Sequence, residues 1–155
     1  MKQMELRPYQ KEAKEAVFRS WEDVDRTLLV LPTGCGKTIV FAKVTEDCVR
    51  QGKRVLILAH RGELLEQAAD KIEQATGLRC AAEKAGESCL GSWYRVTVGS
   101  VQSMQREKRL SRFPEDYFDT VIIDEAHHCL SEGYQKVLSH FPGAKVLGVT
   151  ATPDR

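Results

Sequence analysis

The chain has 155 residues, of which 42% are hydrophobic and 29% charged, and its formal net charge is +1. That size fits one domain with a self-sufficient core, and the near-neutral balance excludes binding to nucleic acid by bulk charge alone. No apolar run approaches the ~20 residues of a membrane-spanning helix, and Met1–Glu5 lacks the apolar stretch of a signal peptide, so a cytoplasmic protein with no membrane partner is expected. The five cysteines are odd in number and lack a C-x-x-C pair, which reads as reduced structural thiols, neither a disulfide framework nor a zinc module.

In chain order, Leu6-Arg7-Pro8-Tyr9-Gln10 opens a helix with Pro8 near its first position, where a missing N–H costs little. Ala13, Ala16, Val17, Ser20 and Trp21 then recur at helical spacing. Thr27 to Leu31 form a first strand, apolar throughout as for a strand covered on both faces. Pro32-Thr33-Gly34-Cys35-Gly36-Lys37-Thr38 follows, and a helix runs from about Lys37 to Arg50 before Gly52. Strand–glycine loop–helix is the context in which backbone N–H groups converge on phosphate oxygens, aided by the helix dipole. Lys37 is placed to reach the β- and γ-phosphates of ATP, and the Thr38 hydroxyl to ligate Mg²⁺. The general pattern G-x-x-x-x-G-K-[ST] puts glycine at position 31, where this chain has leucine.

Val55 to Ala59 read as strand two, Glu63 to Gln74 as a helix ended by Gly77, and Leu78 to Ala82 as a short strand three. Glu83 to Ser92 read as a loop. Tyr94 to Val98 form strand four, with a short helix from Val101 to Gln105 and a charged segment from Arg106 to Arg112. Thr120 to Ile123 form strand five and lead into Asp124-Glu125. A helix around Tyr134 to His140 precedes a last strand, Val146 to Val149. Strands alternating with helices, without alternating polarity, indicate an α/β fold: a parallel sheet with helices on both faces. The C-terminal ends of its strands are where ligands bind, so the glycine loop and Asp124-Glu125 share one edge. There Asp124 is suited to hold Mg²⁺ and Glu125 to polarise an attacking water.

These segments together resemble the first RecA-like domain of superfamily-two helicases and translocases, with a DEAH-type second motif. Pro32 to Thr38 resembles motif I in the form that superfamily uses, which accounts for Leu31. Ala59 to Gln67 resembles motif Ia, Val98 to Ser103 the motif before the acidic strand, Asp124 to His127 motif II, and Thr150-Ala151-Thr152 motif III. The wording L-R-P-Y-Q and A-H-R-x-E-L-L-E-Q is similar to the branch of the type I and type III restriction motor subunits and the XPB-like and RadD-like helicases.

The resemblance implies a RecA-like P-loop domain over 1–155 that binds ATP and Mg²⁺ and works on nucleic acid, DNA favoured over RNA. Gln10 is then the adenine-reading residue, with Arg7 beside it, although helix capping explains both as well. Pro32, Thr33, Gly34, Cys35 and Gly36 hold the phosphates with Lys37 and Thr38. His127, Thr150 and Thr152 couple the ATP site to nucleic acid, with a helix N-cap as the alternative for the threonines. His60, Arg61, Gly62, Gly99, Ser100 and Gln102 grip phosphates of the nucleic acid without reading sequence. Arg106, Lys108, Arg109 and Arg112 are a solvated face or part of the same groove. A second RecA-like domain, absent from these 155 residues, supplies the arginine that completes the site, so this half alone is expected to turn over very slowly. Two other readings stay open: a P-loop ATPase acting on proteins or small molecules, and a nucleotide-binding module without turnover.

Overall fold

A strand whose residues are apolar at every position needs cover on two sides, and β2 (Val55–Ala59) is buried along its whole length; β4 (Val96–Ser100) is as well, Thr97 and Ser100 included. The computed structural model describes residues 8–32, 37–59, 63–83, 95–124 and 132–152. The other strands are β1 (Arg26–Pro32), β3 (Cys80–Glu83), β5 (Thr120–Asp124) and β6 (Lys145–Thr152). All six form one parallel sheet in the order β1-β6-β5-β2-β4-β3. The helices are α1 (Pro8–Asp23), α2 (Lys37–Arg50), α3 (Glu63–Thr76), α4 (Val101–Met104), α5 (Glu107–Leu110) and α6 (Glu132–His140).

Handedness sorts the helices between faces. Steps that lead away from β1, from β1 to β2 and from β2 to β3, carry α2 and α3 on the first face. There Phe41, Val44, Cys48, Ala68 and Ile72 pack with Ile57, Ile122, Leu147 and Val149. Steps that lead back toward β1, from β4 to β5 and from β5 to β6, carry α4, α5 and α6 on the second face. Met104, Leu110, Tyr134, Val137 and Leu138 meet Leu56, Leu58, Val121 and Ile123 there. One hand of crossover in a parallel sheet requires this division. α1 joins the first face through Val17 and Trp21.

The expected α/β sandwich is therefore present, with adjusted boundaries. β6 extends to Thr152, so Thr150 and Thr152 are strand residues. β3 starts at Cys80, β4 runs Val96–Ser100, and the charged stretch after Gln105 contains a helical turn, Glu107–Leu110. The expected loop from Glu83 falls, from residue 84 on, outside the described residues. Gly52 and Gly77 close α2 and α3 with φ of +81° and +79°, the left-handed conformation that favours glycine.

One expectation fails. β1 was read as covered on both faces, but it is an edge strand with one bare side: Leu28 is 59% and Val30 46% exposed. Continuous apolarity reports the side chains available for burial; the position of a strand in the sheet decides how many are buried.

Cys48 and Cys80 are free thiols, and burial pushes the Cys80 thiol up to about 12. Thiols of the unfolded chain ionise first, so the stability this group contributes is present below about pH 9 and lost as pH rises toward 12. The urea midpoint is expected to fall more between pH 8 and 10.5 in the wild type than in Cys80→Ala. Equal falls would show that Cys80 does not carry the effect. Phe41→Ala, at a fully buried position, is expected to cost about 3–5 kcal/mol by urea denaturation, and Leu28→Ala less than about 0.5 kcal/mol.

Candidate nucleotide site at the sheet edge

The C-termini of the parallel strands lie on one edge. β1 ends at Pro32, four residues follow, and α2 begins at Lys37. A 14-residue helix thus starts at this edge, with the positive end of its dipole there. The backbones of Pro32, Lys37 and Thr38 lie at this junction. Arg7, Thr33, Gly34, Cys35 and Gly36 lie outside the described residues.

α2 is held by pairs along its length. Lys14 on α1 meets Asp47 at 2.8 Å. Lys43 and Glu46, each about one-tenth exposed, pair at 3.6 Å one helical turn apart. The sequence reading passed over this second pair, although its i, i+3 spacing was visible.

Gln10 enters from α1. A 16-residue helix is about 24 Å long and a seven-residue strand about 23 Å. α1 ends beside the start of β1, so its own start returns to the level of the loop. Gln10 sits there in the third helical position, only 4% exposed. The far end of α1 is fixed by the Trp21 indole N–H, which donates to the Val146 carbonyl at 3.1 Å.

The acidic strand lies two strands from the loop strand, with β6 between them, a separation of about 9–10 Å. That is room for a phosphate group and a hydrated cation. Asp124 pairs with Val149 of β6, which in turn pairs with Leu29 of β1. By strand alternation Asp124 shares the face of Ile122, whose cluster contains α2 residues. Its half-buried carboxylate therefore stands on the same side of the sheet as the helix that carries Thr38. A carboxylate and a hydroxyl are hard oxygen donors of the kind Mg²⁺ takes, and the donor set fits. Glu125 and His127 lie outside the described residues.

Thr150 is half-buried on the opposite parity, with Val146 and Gly148, and Thr152 pairs with Pro32. β6 thus lies between the loop strand and the acidic strand. The remaining predicted residues flank β2 and β4, whose last residues Ala59 and Ser100 are register partners. His60, Arg61 and Gly62 lie outside the described residues. Gly99 and Ser100 are buried and Gln102 is exposed. The Ser100 hydroxyl caps α4, accepting from the Ser103 N–H at 3.2 Å. Among the described residues no helix is long and apolar enough to cross a membrane, and no group of His, Cys, Asp and Glu forms a separate metal cluster.

Known proteins share this arrangement. The chain is 34% identical over 160 residues to a candidate mitochondrial ATP-dependent helicase, irc3, of Schizosaccharomyces pombe, covering 96% of this chain and 26% of that protein. It is 33% identical over 152 residues to the DNA 3′-5′ translocase XPB2 of Sulfurisphaera tokodaii, covering 98% and 32%. Among solved structures, the helicase domain of Hef from Pyrococcus furiosus superposes with a TM-score of 0.79 at 25% identity, covering 97% of this chain and 34% of that one. A nuclease-deletion mutant of the type ISP restriction-modification enzyme LlaGI, in complex with a DNA substrate mimic, superposes with a TM-score of 0.75 at 25% identity, covering 98% and 18%. The fold is thus the RecA-like fold of helicase domains. The chain spans about a quarter to a third of the length of these two relatives. The model of the type III restriction enzyme res subunit matches residues 3–155, and the chain belongs to that family.

Proposed function

We propose that this chain is the ATP-binding half of a helicase or translocase in which hydrolysis of ATP drives movement along DNA. The observation that carries the reading is Asp124 on the α2 face of the sheet, two strands from the junction of β1 and α2. The family match and the helicase relatives support it.

In this reading the loop amides from Thr33 to Gly36 and the Lys37 ammonium hold the phosphates, and Gln10, with Arg7, holds the adenine edge through paired donor and acceptor. Thr38 and Asp124 hold Mg²⁺, which supplies charge neutralisation on the phosphate oxygens when bound. Glu125 takes the proton of the attacking water. Little covalent chemistry is asked of the protein; catalysis is positioning and charge stabilisation. An arginine from a second RecA-like domain contributes on the order of 10³–10⁵ in rate, so residues 1–155 alone bind ATP weakly and turn over very slowly.

His60, Arg61 and Gly62 after β2, with Gly99, Ser100 and Gln102 at the end of β4, grip nucleic-acid phosphates at the same edge. His127, Thr150 and Thr152 link the two ligands through β6. DNA is favoured over RNA because one relative is by name a DNA translocase and one similar structure holds a DNA substrate mimic. The cytoplasm is the proposed compartment, in keeping with the free thiols of Cys48 and Cys80.

The deciding experiment is ATP turnover by the full-length parent with duplex DNA, single-stranded DNA or RNA added. Stimulation by DNA is expected, and turnover indifferent to every nucleic acid would favour an ATPase acting on other substrates. Glu125→Gln is expected to retain nucleotide binding while turnover falls about 10²–10⁴-fold. Unchanged turnover in that variant would remove Glu125 from the chemistry. Lys37→Ala is expected to weaken nucleotide binding as well, measured by fluorescence with a labelled ATP analogue.

A further inference from the structure

On the second face, α4 and α6 meet. α4 starts directly after Ser100 at the end of β4, and α6 is the next described element after the acidic strand β5. Val101 and Met104 of α4 share one buried cluster with Tyr134, Val137 and Leu138 of α6. α4 is a single helical turn, capped by Ser100 at its start and closed by the Gln105 N–H, which donates to the Val101 carbonyl at 3.0 Å. So short a helix has little stability of its own, and its position is set by what it rests on.

It rests on Gly133. A Cβ on that residue would stand 2.5 Å from Gln105 Oε1, closer than the 3.0 Å below which real Cβ atoms essentially never come. It would also stand 3.3 Å from both Gln105 Cδ and Val101 Cγ2. Gly133 is the second residue of α6, and the glycines with positive φ among the described residues are Gly52 and Gly77. Alanine suits a helix better than glycine does, so the backbone gives no reason for glycine at this position. What glycine supplies is room. The half-buried Gln105 side chain occupies the space a methyl group would take, with Val101 beside it.

We infer that Gly133 is a positioning residue for nucleic-acid binding: the bare backbone of α6 seats Gln105 and Val101, and so fixes where Ser100 and Gln102 present their polar groups. Val101 stands between those two residues, and Gln105 closes the turn they begin. The inference rests on the proposed grip of Gly99, Ser100 and Gln102 on phosphates. A methyl at position 133 must drive Gln105 Oε1 out to ordinary contact, 3.4 Å or more. The amide is the free end of a flexible side chain, so the fold survives the change. Val101 is only 5% exposed and has no such freedom; the turn is displaced, and the groups it carries go with it.

The test is binding of fluorescein-labelled duplex DNA, and in parallel single-stranded DNA, to the full-length parent, followed by anisotropy. The variants are Gly133→Ala, Gln105→Ala and the two combined, each with its urea midpoint. Gly133→Ala is expected to weaken DNA binding about 10-fold, the scale of one misplaced hydrogen bond to a charged group, with its urea midpoint unchanged or raised. Gln105→Ala removes the two atoms nearest the new methyl. Alone it is expected to bind within about twofold of the wild type, and in the double variant to restore binding to within about threefold. Unchanged DNA binding in Gly133→Ala would overturn the inference. So would a loss that persists in the double variant, or one accompanied by a fall in the urea midpoint, which marks a role in folding alone. A wild-type parent that bound neither DNA would refute the functional reading and this inference with it, whereas the other failures leave that reading standing.

Discussion

The single hand of the crossovers in a parallel sheet is the constraint on which the rest depends. The crossovers themselves return every strand in the same direction, so the C-termini of all six described strands finish on one edge. Their single hand sends helices to one face or the other by the direction of each step. Nothing in β1 or β5 alone places a lysine loop near an acid. They become neighbours because β6 returns between them, and the site is a product of winding order more than of local sequence.

The two edges of the sheet divide the labour. At the edge of the strand starts, the polar groups are committed to structure. The Asp119 carboxylate accepts from the Arg54 N–H at 3.1 Å, the Arg54 guanidinium lies 4.7 Å from the Tyr117 ring centroid, and Lys145 pairs with Asp25 at 2.9 Å. The Lys145 ammonium holds the exposed Asp25 carboxyl below its ordinary range, though a pair so open to water adds little stability. Below this edge on the second face, Phe113, Phe118 and Phe141 form an aromatic cluster with ring centroids 5.2–6.2 Å apart, Phe141 meeting the other two rings edge to face. The opposite edge holds the start of α2 and the Asp124 carboxylate.

Much of this was legible in the sequence, and the reasons are specific. α2 and β2 were read with their observed limits because Gly52 ends one and an unbroken apolar run defines the other. Asp124 was found because a carboxylate directly after Val121-Ile122-Ile123 has no packing role to play. The failures share a cause. The run Leu28–Leu31 of β1 looks in sequence like β2, both being apolar at each position, yet β2 is interior and β1 terminal, and strand order is not written in a strand's composition. β6 was read short because Thr150 and Thr152 look like loop residues, whereas pairing with Val30 and Pro32 keeps them extended. The turn of helix at Glu107–Leu110 hid within a run of charge, where Leu110 was the one apolar signal.

The register of β6 has a consequence for the shape of the ligand's seat. β5 stops at Asp124, opposite Val149, while β6 continues to Thr152 with β1 alongside as far as Pro32. Three further residues on two strands raise that side of the sheet by about 10 Å. Among the described residues the edge is therefore a step, high along β1 and β6 and lower where β5 meets β2. Under the proposed function, a nucleotide at the junction of β1 and α2 would stand against the higher side.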